Sequence, residues 1–154
     1  MRFAALLLAA TILPAAENPV SWSFKAPPKK SVKAGENIAV KLVATIEPGW
    51  HLYSLDQPSG GPVATEISLD TGSPFEMGIV TGPKPHVLFD SNFDMQVGFY
   101  VEKAEFHLPV KVEPKAAGGR QTLVVAARYQ SCNDKLCLPP KTVKLEVVVD
   151  VRPR

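Results

Sequence analysis

Cys132 and Cys137 are the residues of this 154-residue chain best suited to carry out chemistry, and the chain has no other cysteine. Four residues, Asn133 to Leu136, separate them and are predicted to form the turn between two strands. Two thiols that face each other across a turn can cycle between a dithiol and a disulfide by thiol exchange. The pair is therefore a candidate redox couple.

Two other interpretations of the cysteine pair stay open at this level. A disulfide that only staples a hairpin would close a very small loop, which stabilises a fold by about 2 kcal/mol on the chain-entropy model. A domain of this length has a core large enough not to depend on such a bond. Metal binding would need further ligands, and His51, His86 and His107 lie isolated, without ligand spacing. We expect no metal and no other cofactor, whereas the spacing does not separate the redox couple from the staple.

The start of the chain has the pattern of a secretory signal peptide. Met1 to Phe3 provide a positive charge, Ala4 to Leu13 form an apolar run, and Pro14 to Ala16 precede a polar stretch. The run is too short to anchor the chain permanently in a bilayer. We expect residues 1–16 to be a signal peptide that is removed on export and residues 17–154 to be one domain.

The charge of the chain is nearly balanced, with 17 lysines and arginines against 15 aspartates and glutamates. The basic residues are scattered rather than clustered. A protein that binds nucleic acid usually presents a strongly basic face. We therefore expect no nucleic-acid partner, and we expect the exported domain to be a monomer.

Fifteen prolines and ten glycines divide the chain into short segments, within which apolar residues alternate with polar ones. This period of two is typical of strands that bury one face. No window of the exported part has the period of an amphipathic helix. The sequence therefore predicts an all-β antiparallel sandwich, with a β-barrel as the alternative architecture. The predicted strands are 20–25, 38–46, 50–55, 63–69, 96–101, 105–112, 122–131 and 143–151.

Two segments outside the cysteine pair carry large side chains that could line a site. In the strand 50–53, Trp50 and Leu52 share one face while His51 and Tyr53 share the other, so one face can pack in the core and the other can present polar rings. The segment 87–94 is predicted to be a loop that carries aromatic residues. Aromatic side chains on a polar loop usually cover another part of the protein or a bound molecule. In a redox protein they would shield a disulfide from chance thiols; in an inert protein both segments would merely be packed elements.

These segments together resemble the N-terminal periplasmic domain of the thiol:disulfide interchange protein DsbD. The matching segments are 48–54, 89–93, 106–110, 129–132 and 137–140, and the resemblance runs from about residue 20 to residue 149. It implies an immunoglobulin-like domain in the periplasm. It also implies the activity of a protein-disulfide reductase or its electron-relay domain, which passes reducing equivalents to oxidised periplasmic proteins.

The resemblance implies a role for each site residue. Cys132 and Cys137 are the active pair, with Cys137 entering the mixed disulfide and Cys132 resolving it. Their spacing is shorter than in the best-known members of the family.

The resemblance also implies a loop that caps the cysteine pair. Phe93 is the aromatic residue of this cap loop, with Phe89 as the alternative. Tyr53 matches a tyrosine that lies beside the pair, and His51 occupies a position that is often aromatic.

The implied partners are thioredoxin-fold periplasmic proteins, as electron donor and as acceptor. Full-length members of the family continue into a membrane electron-transfer domain and a thioredoxin-like domain, and this sequence ends at Arg154. A separate membrane protein could then supply the electrons. The rival interpretation is a non-catalytic secreted sandwich that binds a ligand and uses its disulfide as a staple.

Overall fold

The computed structural model of the protein describes residues 18–25 and 31–154. The expected signal peptide, residues 1–16, lies outside these residues. So does the start of the expected exported domain at residue 17.

The described part of the chain forms twelve strands and contains no helix, so none of it could cross a membrane as a helix. The strands are β1 Val20–Phe24, β2 Ser31–Lys33, β3 Asn37–Ile46, β4 His51–Tyr53, β5 Glu66–Leu69, β6 Phe75–Met77, β7 His86–Asp90, β8 Met95–Tyr100, β9 Lys103–Val112, β10 Gly119–Tyr129, β11 Ser131–Cys132 and β12 Lys141–Arg152.

The twelve strands form three four-stranded sheets. Sheet 1 has the order β1-β3-β9-β6, sheet 2 the order β2-β12-β10-β5, and sheet 3 the order β11-β4-β8-β7. All neighbouring strands are antiparallel except β2 and β12, which pair in parallel. The expectation of an all-β, immunoglobulin-like sandwich is confirmed.

The main core lies between sheets 1 and 2 and is built from alternating residues. Along β3 the side chains that the sequence places on one face, from Ile38 to Ile46, are buried. Trp22 of sheet 1 connects the layers, because its ring centroid lies 5.6 Å from that of Phe106 in its own sheet and 5.4 Å from that of Tyr129 in sheet 2. Burial of this apolar surface is the main source of stability.

Sheet 3 attaches to the core through one residue of each of two strands. Leu52 of β4 and Tyr100 of β8 are buried in the main core, and the Tyr100 ring packs edge-on against Phe106 at 5.6 Å. The other face of β4 turns away from this core. Sheet 3 is therefore held rigidly by the sandwich while one of its faces remains available for a separate cluster of side chains.

The structure differs from the sequence expectation between residues 87 and 94. Only Ser91 to Asp94 form a turn, because Val87 to Asp90 pair with β8 as part of an edge strand. Four of the five residues of β7 are exposed, so the strand lacks the alternation of burial that marks the other strands. Three further strands, β2, β6 and β11, are too short to be predicted from long runs of alternating residues.

The central position of Phe106 gives a test of this packing. Phe106→Ala should destabilise the protein by roughly 3–5 kcal/mol, because a fully buried ring leaves a cavity against Trp22 and Tyr100. The same change at Phe89, which is 59% exposed on β7, should cost less than about 0.5 kcal/mol. Urea unfolding of both variants measures the difference. Equal losses would contradict the assignment of the core.

Candidate redox site

Cys132 and Cys137 are joined by a disulfide across a tight hairpin. The Leu138 amide donates to the Ser131 carbonyl and the Asn133 amide donates to the Leu136 carbonyl, at 3.0 and 2.9 Å. The cysteines between these hydrogen bonds therefore form a non-hydrogen-bonded antiparallel pair, the type in which opposite side chains approach most closely. Their Cα atoms are 4.1 Å apart and their sulfurs are bonded at 2.02 Å.

The side chain of Asn133 explains why so short a turn can form here. Its Oδ1 accepts hydrogen bonds from the backbone amides of Lys135 and Leu136, at 2.9 and 2.8 Å. An asparagine that bonds to the backbone two and three residues later replaces the bonds of a regular turn. The four residues between the cysteines are thus a defined loop that holds the two sulfurs in register.

The two sulfurs are in unequal environments. Cys132 is fully buried, and its strand β11 pairs with β4 so that it lies opposite His51. Cys137 is only partly buried, at the far side of the turn. Cys137 is therefore the more accessible of the two cysteines.

A second hydrophobic cluster surrounds the disulfide, separate from the main core. Tyr53, Val97 and Cys132 are its buried members, and partly buried apolar residues pack around them: Phe93, Met95, Phe99 and Cys137. Tyr53 reaches this cluster because β4 presents alternate residues to opposite faces, with Leu52 in the main core. The ring of Phe93 stands edge-on against that of Tyr53, with centroids 5.8 Å apart.

A buried carboxylate lies beside the disulfide and bonds to the phenol of Tyr53. Tyr53 Oη donates a hydrogen bond of 2.6 Å to Asp90 Oδ2. Tyr53 Oη also lies 4.0 Å from Cys137 Sγ. Burial raises the pKa of Tyr53, and the hydrogen bond to the Asp90 carboxylate raises it further. The phenol consequently stays protonated in the physiological pH range. The hydroxyl proton of Tyr53 points to Asp90. The lone pairs of Tyr53 Oη can therefore accept a hydrogen bond from a thiol.

Asp90 also fixes the turn that carries Phe93. Its Oδ1 accepts hydrogen bonds from the backbone amide and the side-chain amide of Asn92, at 2.8 and 3.0 Å. Burial alone would raise the pKa of Asp90, but the hydrogen bonds from Tyr53 and Asn92 outweigh burial and hold it below its ordinary value. One carboxylate thus ties the turn Ser91–Asp94 to the residue that contacts the disulfide.

His51 lies at the margin of the site. Its ring packs against those of Phe99 and Tyr53, with centroids 5.0 and 5.3 Å apart, and its Nε2 lies 3.9 Å from Asp90 Oδ2. Among the residues that the structure describes, Nε2 has no hydrogen-bond partner. Burial lowers the pKa of His51, although the charges of Asp90 and Asp134 oppose the shift.

The structure brings together four of the six residues singled out from the sequence, Cys132, Cys137, Tyr53 and Phe93. His51 contacts this group because its ring packs against that of Tyr53. Phe89 is exposed on β7.

Sequence reasoning missed Asp90, which connects the site residues to one another. The signal was present in Asp90-Ser91-Asn92, since an aspartate two residues before an asparagine is a common turn-forming pattern.

Comparison with known proteins gives the family of the chain. A family model described as "Thiol:disulfide interchange protein DsbD, N-terminal" matches residues 23–148, which is well over half of the sequence. The chain belongs to the DsbD N-terminal family. Membership gives the class of chemistry, thiol–disulfide interchange, and a role related to disulfide reduction. A comparison with curated protein sequences finds no match.

Two solved structures share the fold. The N-terminal domain of DsbD from Neisseria meningitidis, in its reduced form, is 18% identical, with a TM-score of 0.53 over 80% of this chain and 84% of that one. The N-terminal periplasmic domain of ScsB from Proteus mirabilis is 16% identical, with a TM-score of 0.52 over 90% of this chain and 49% of that one. The chain thus spans about half the length of the ScsB structure.

The hydrogen bond between Tyr53 and Asp90 can be tested by a double-mutant cycle. Tyr53→Phe should cost roughly 1.5–3 kcal/mol, because a buried carboxylate loses a donor. Combining Tyr53→Phe with Asp90→Asn should give a coupling energy of about 1 kcal/mol or more in urea unfolding of the oxidised protein.

A second tyrosine provides the matched control. The hydroxyl of Tyr129 bonds to Asn18 and to the carbonyl of Val20 instead. Tyr129→Phe and Asp90→Asn should therefore add within about 0.5 kcal/mol. Additivity in the Tyr53 cycle as well would show that the hydrogen bond does not organise the site.

Proposed function

We propose that this domain relays reducing equivalents in the periplasm, from a thioredoxin-fold or membrane-linked donor to oxidised thioredoxin-fold proteins, through reversible opening of the Cys132–Cys137 disulfide. The observation that carries the proposal is the unequal burial of the two cysteines, because a relay needs one cysteine that partners reach and one that they do not. The periplasmic location is supported by family membership and by the periplasmic ScsB domain.

The first step is attack by a donor thiolate on Cys137 Sγ, from the side opposite the S–S bond. The Cys132–Cys137 bond breaks as the donor–Cys137 bond forms, and Cys132 leaves as a thiolate that takes up a proton. The second donor cysteine then attacks its neighbour in the mixed disulfide. This releases Cys137 and leaves a donor disulfide and a dithiol domain, so two electrons and two protons have been transferred.

The dithiol domain passes the electrons on by the reverse sequence. The Cys137 thiolate attacks an oxidised acceptor, and Cys132 then attacks Cys137 Sγ to close the disulfide and release the reduced acceptor. The hairpin favours this closure because the Asn133 turn keeps the two cysteines opposite each other. In the dithiol form, the lone pairs of Tyr53 Oη can accept a hydrogen bond from the Cys137 thiol.

Phe93 acts in this proposal as a cap that limits access to the disulfide. Its ring packs on Tyr53 in the cluster that contains both cysteines. The turn that carries it, Ser91–Asp94, lies outside the paired strands, so a docking partner can displace the turn without disturbing the sandwich. The cap would protect the pair from small thiols and yield to a protein that fits the site.

Removing the cap should make the pair more reactive. We expect Phe93→Ala to raise the rate of alkylation of the reduced pair by iodoacetamide several-fold, because the ring no longer shields Cys137. Phe89→Ala is the matched control and should leave the rate unchanged, since Phe89 is exposed on β7. An unchanged alkylation rate in a folded Phe93→Ala variant would contradict the proposed capping role of Phe93.

The two sulfurs should also differ in trapping experiments. Cys132→Ser leaves Cys137 alone, and we expect it to form a mixed disulfide with an oxidised thioredoxin-fold protein that accumulates because the domain has no second thiol to complete the reduction. Cys137→Ser leaves only the buried Cys132 and should trap little. Gel analysis without reductant, followed by mass spectrometry of the adduct, measures both yields. Equal trapping by the two variants would contradict the assigned roles.

A further inference from the structure

A surface groove of about 640 Å³ runs from the turn after Cys132 to the edge strand β7. Its walls include apolar side chains, Leu88, Phe89 and Val101, and acidic ones, Glu47, Glu102 and Asp134. We call it the β7 groove. The buried Asp90 also lines it, so the groove adjoins the redox site directly.

Exposed apolar surface is concentrated around this groove. Seven large apolar side chains are exposed in the part of the chain that the structure describes, and five of them lie on β7, on the residue after β8 or in the cysteine turn: Val87, Leu88, Phe89, Val101 and Leu136. The three on β7 are each about 60% exposed. Apolar side chains that cluster in this way mark a surface that another molecule covers.

The charge of the β7 groove has a single sign. Four carboxylates line it, those of Glu47, Asp90, Glu102 and Asp134, and no lysine or arginine does so. Within residues 18–25 and 31–154, no ion pair involves Glu47, Glu102 or Asp134. These three groups are therefore available to pair with positive charge from another molecule. The chain as a whole is not acidic, with 17 lysines and arginines against 15 aspartates and glutamates, whereas the charged side chains that line this groove are carboxylates.

We propose that the β7 groove binds the polypeptide segment that flanks the reactive cysteine of the redox partner, and that it selects a segment with cationic and apolar side chains. This inference rests on the proposed function and adds the chemistry of the partner to it. Two observations favour this occupant. The groove reaches Asn133 and Asp134, in the turn that joins the two cysteines, and its carboxylates complement positive charge.

The groove supplies recognition and no covalent step. Apolar side chains of the partner would cover Leu88 and Phe89, while a lysine or arginine would approach Glu47 and Glu102. Among the residues that the structure describes, no strand pairs with the outer edge of β7, so its backbone groups can bond to an extended segment at the same place. Complementary charge would act chiefly on the rate of encounter, which steering can raise by roughly 10- to 1,000-fold at low salt.

The test uses short peptides with one cysteine each. The three peptides share a leucine beside the cysteine and differ only in the next residue, which is arginine, glutamine or glutamate. Each carries thionitrobenzoate as a mixed disulfide, and reduced Cys132→Ser protein attacks it and releases a coloured thiolate. Rates with 2-mercaptoethanol, which is uncharged, correct for the intrinsic reactivity of each peptide.

We expect the arginine peptide to react roughly tenfold faster than the glutamate peptide at low salt, with the glutamine peptide between them. The difference should disappear near 1 M salt, where the screening length is about 3 Å. A variant with Glu47→Gln and Glu102→Gln should lose most of the preference. Leu88→Ser should slow all three peptides alike and keep the order.

A control variant carries the same change of charge on another sheet. Glu146→Gln with Asp150→Asn alters two exposed carboxylates of β12 and should leave the preference intact. Equal loss of preference in the groove variant and this control would overturn the groove as the site of selection. Equal rates for all three peptides would do the same while leaving the proposed relay function standing. Failure of Cys137 to react with any peptide would instead contradict the relay function itself.

A second copy of this chain is the competing occupant of the edge strand. Sedimentation velocity of the oxidised protein tests it, and we expect a monomer. A dimer that Leu88→Glu dissociates would overturn the proposal, because the groove would then be covered by the protein itself.

Discussion

The buried carboxylate of Asp90 is the constraint on which the rest of the redox site depends. One of its oxygens accepts a hydrogen bond from the Tyr53 hydroxyl and the other accepts two hydrogen bonds from Asn92. Burying a charge is costly unless it is bonded in this way. Because these partners come from two different elements, the carboxylate fixes both the phenol beside the disulfide and the turn that carries Phe93.

The position of the site follows from the division of sheet 3 between two clusters. Leu52 and Tyr100 anchor the sheet in the main core, whereas Tyr53 and Val97 face the disulfide. The small cluster around Cys132 is therefore packed separately from the main core. A disulfide in the main core could not be reached, and one on an open hairpin would react with any thiol.

The edge strand β7 becomes intelligible once the redox site is known. An exposed apolar edge is an aggregation hazard that most proteins avoid with charged or shortened strands. Here the strand leads directly to Asp90 and the cap turn, and its exposed residues border a groove lined with carboxylates. In the proposed relay this surface receives successive partners, which is a reason to keep such an edge. The acidic rim also disfavours pairing with a second copy of the same edge.

The sequence by itself determined an all-β fold, because alternating residues such as those from Ile38 to Ile46 can bury only one face of a strand. Its local motifs also singled out the cysteine pair and the aromatic residues near it. The sequence did not show that Asp90 connects Tyr53 to the turn that carries Phe93. A carboxylate between a strand and a turn is ordinarily expected to be a solvated loop residue. Only the tertiary structure decided that Cys132 is buried and Cys137 partly exposed, and that Phe93 rather than Phe89 packs at the site. The physical reason is that exposure depends on how β4, β8 and the cysteine hairpin pack together, and residues that are far apart in sequence set that packing.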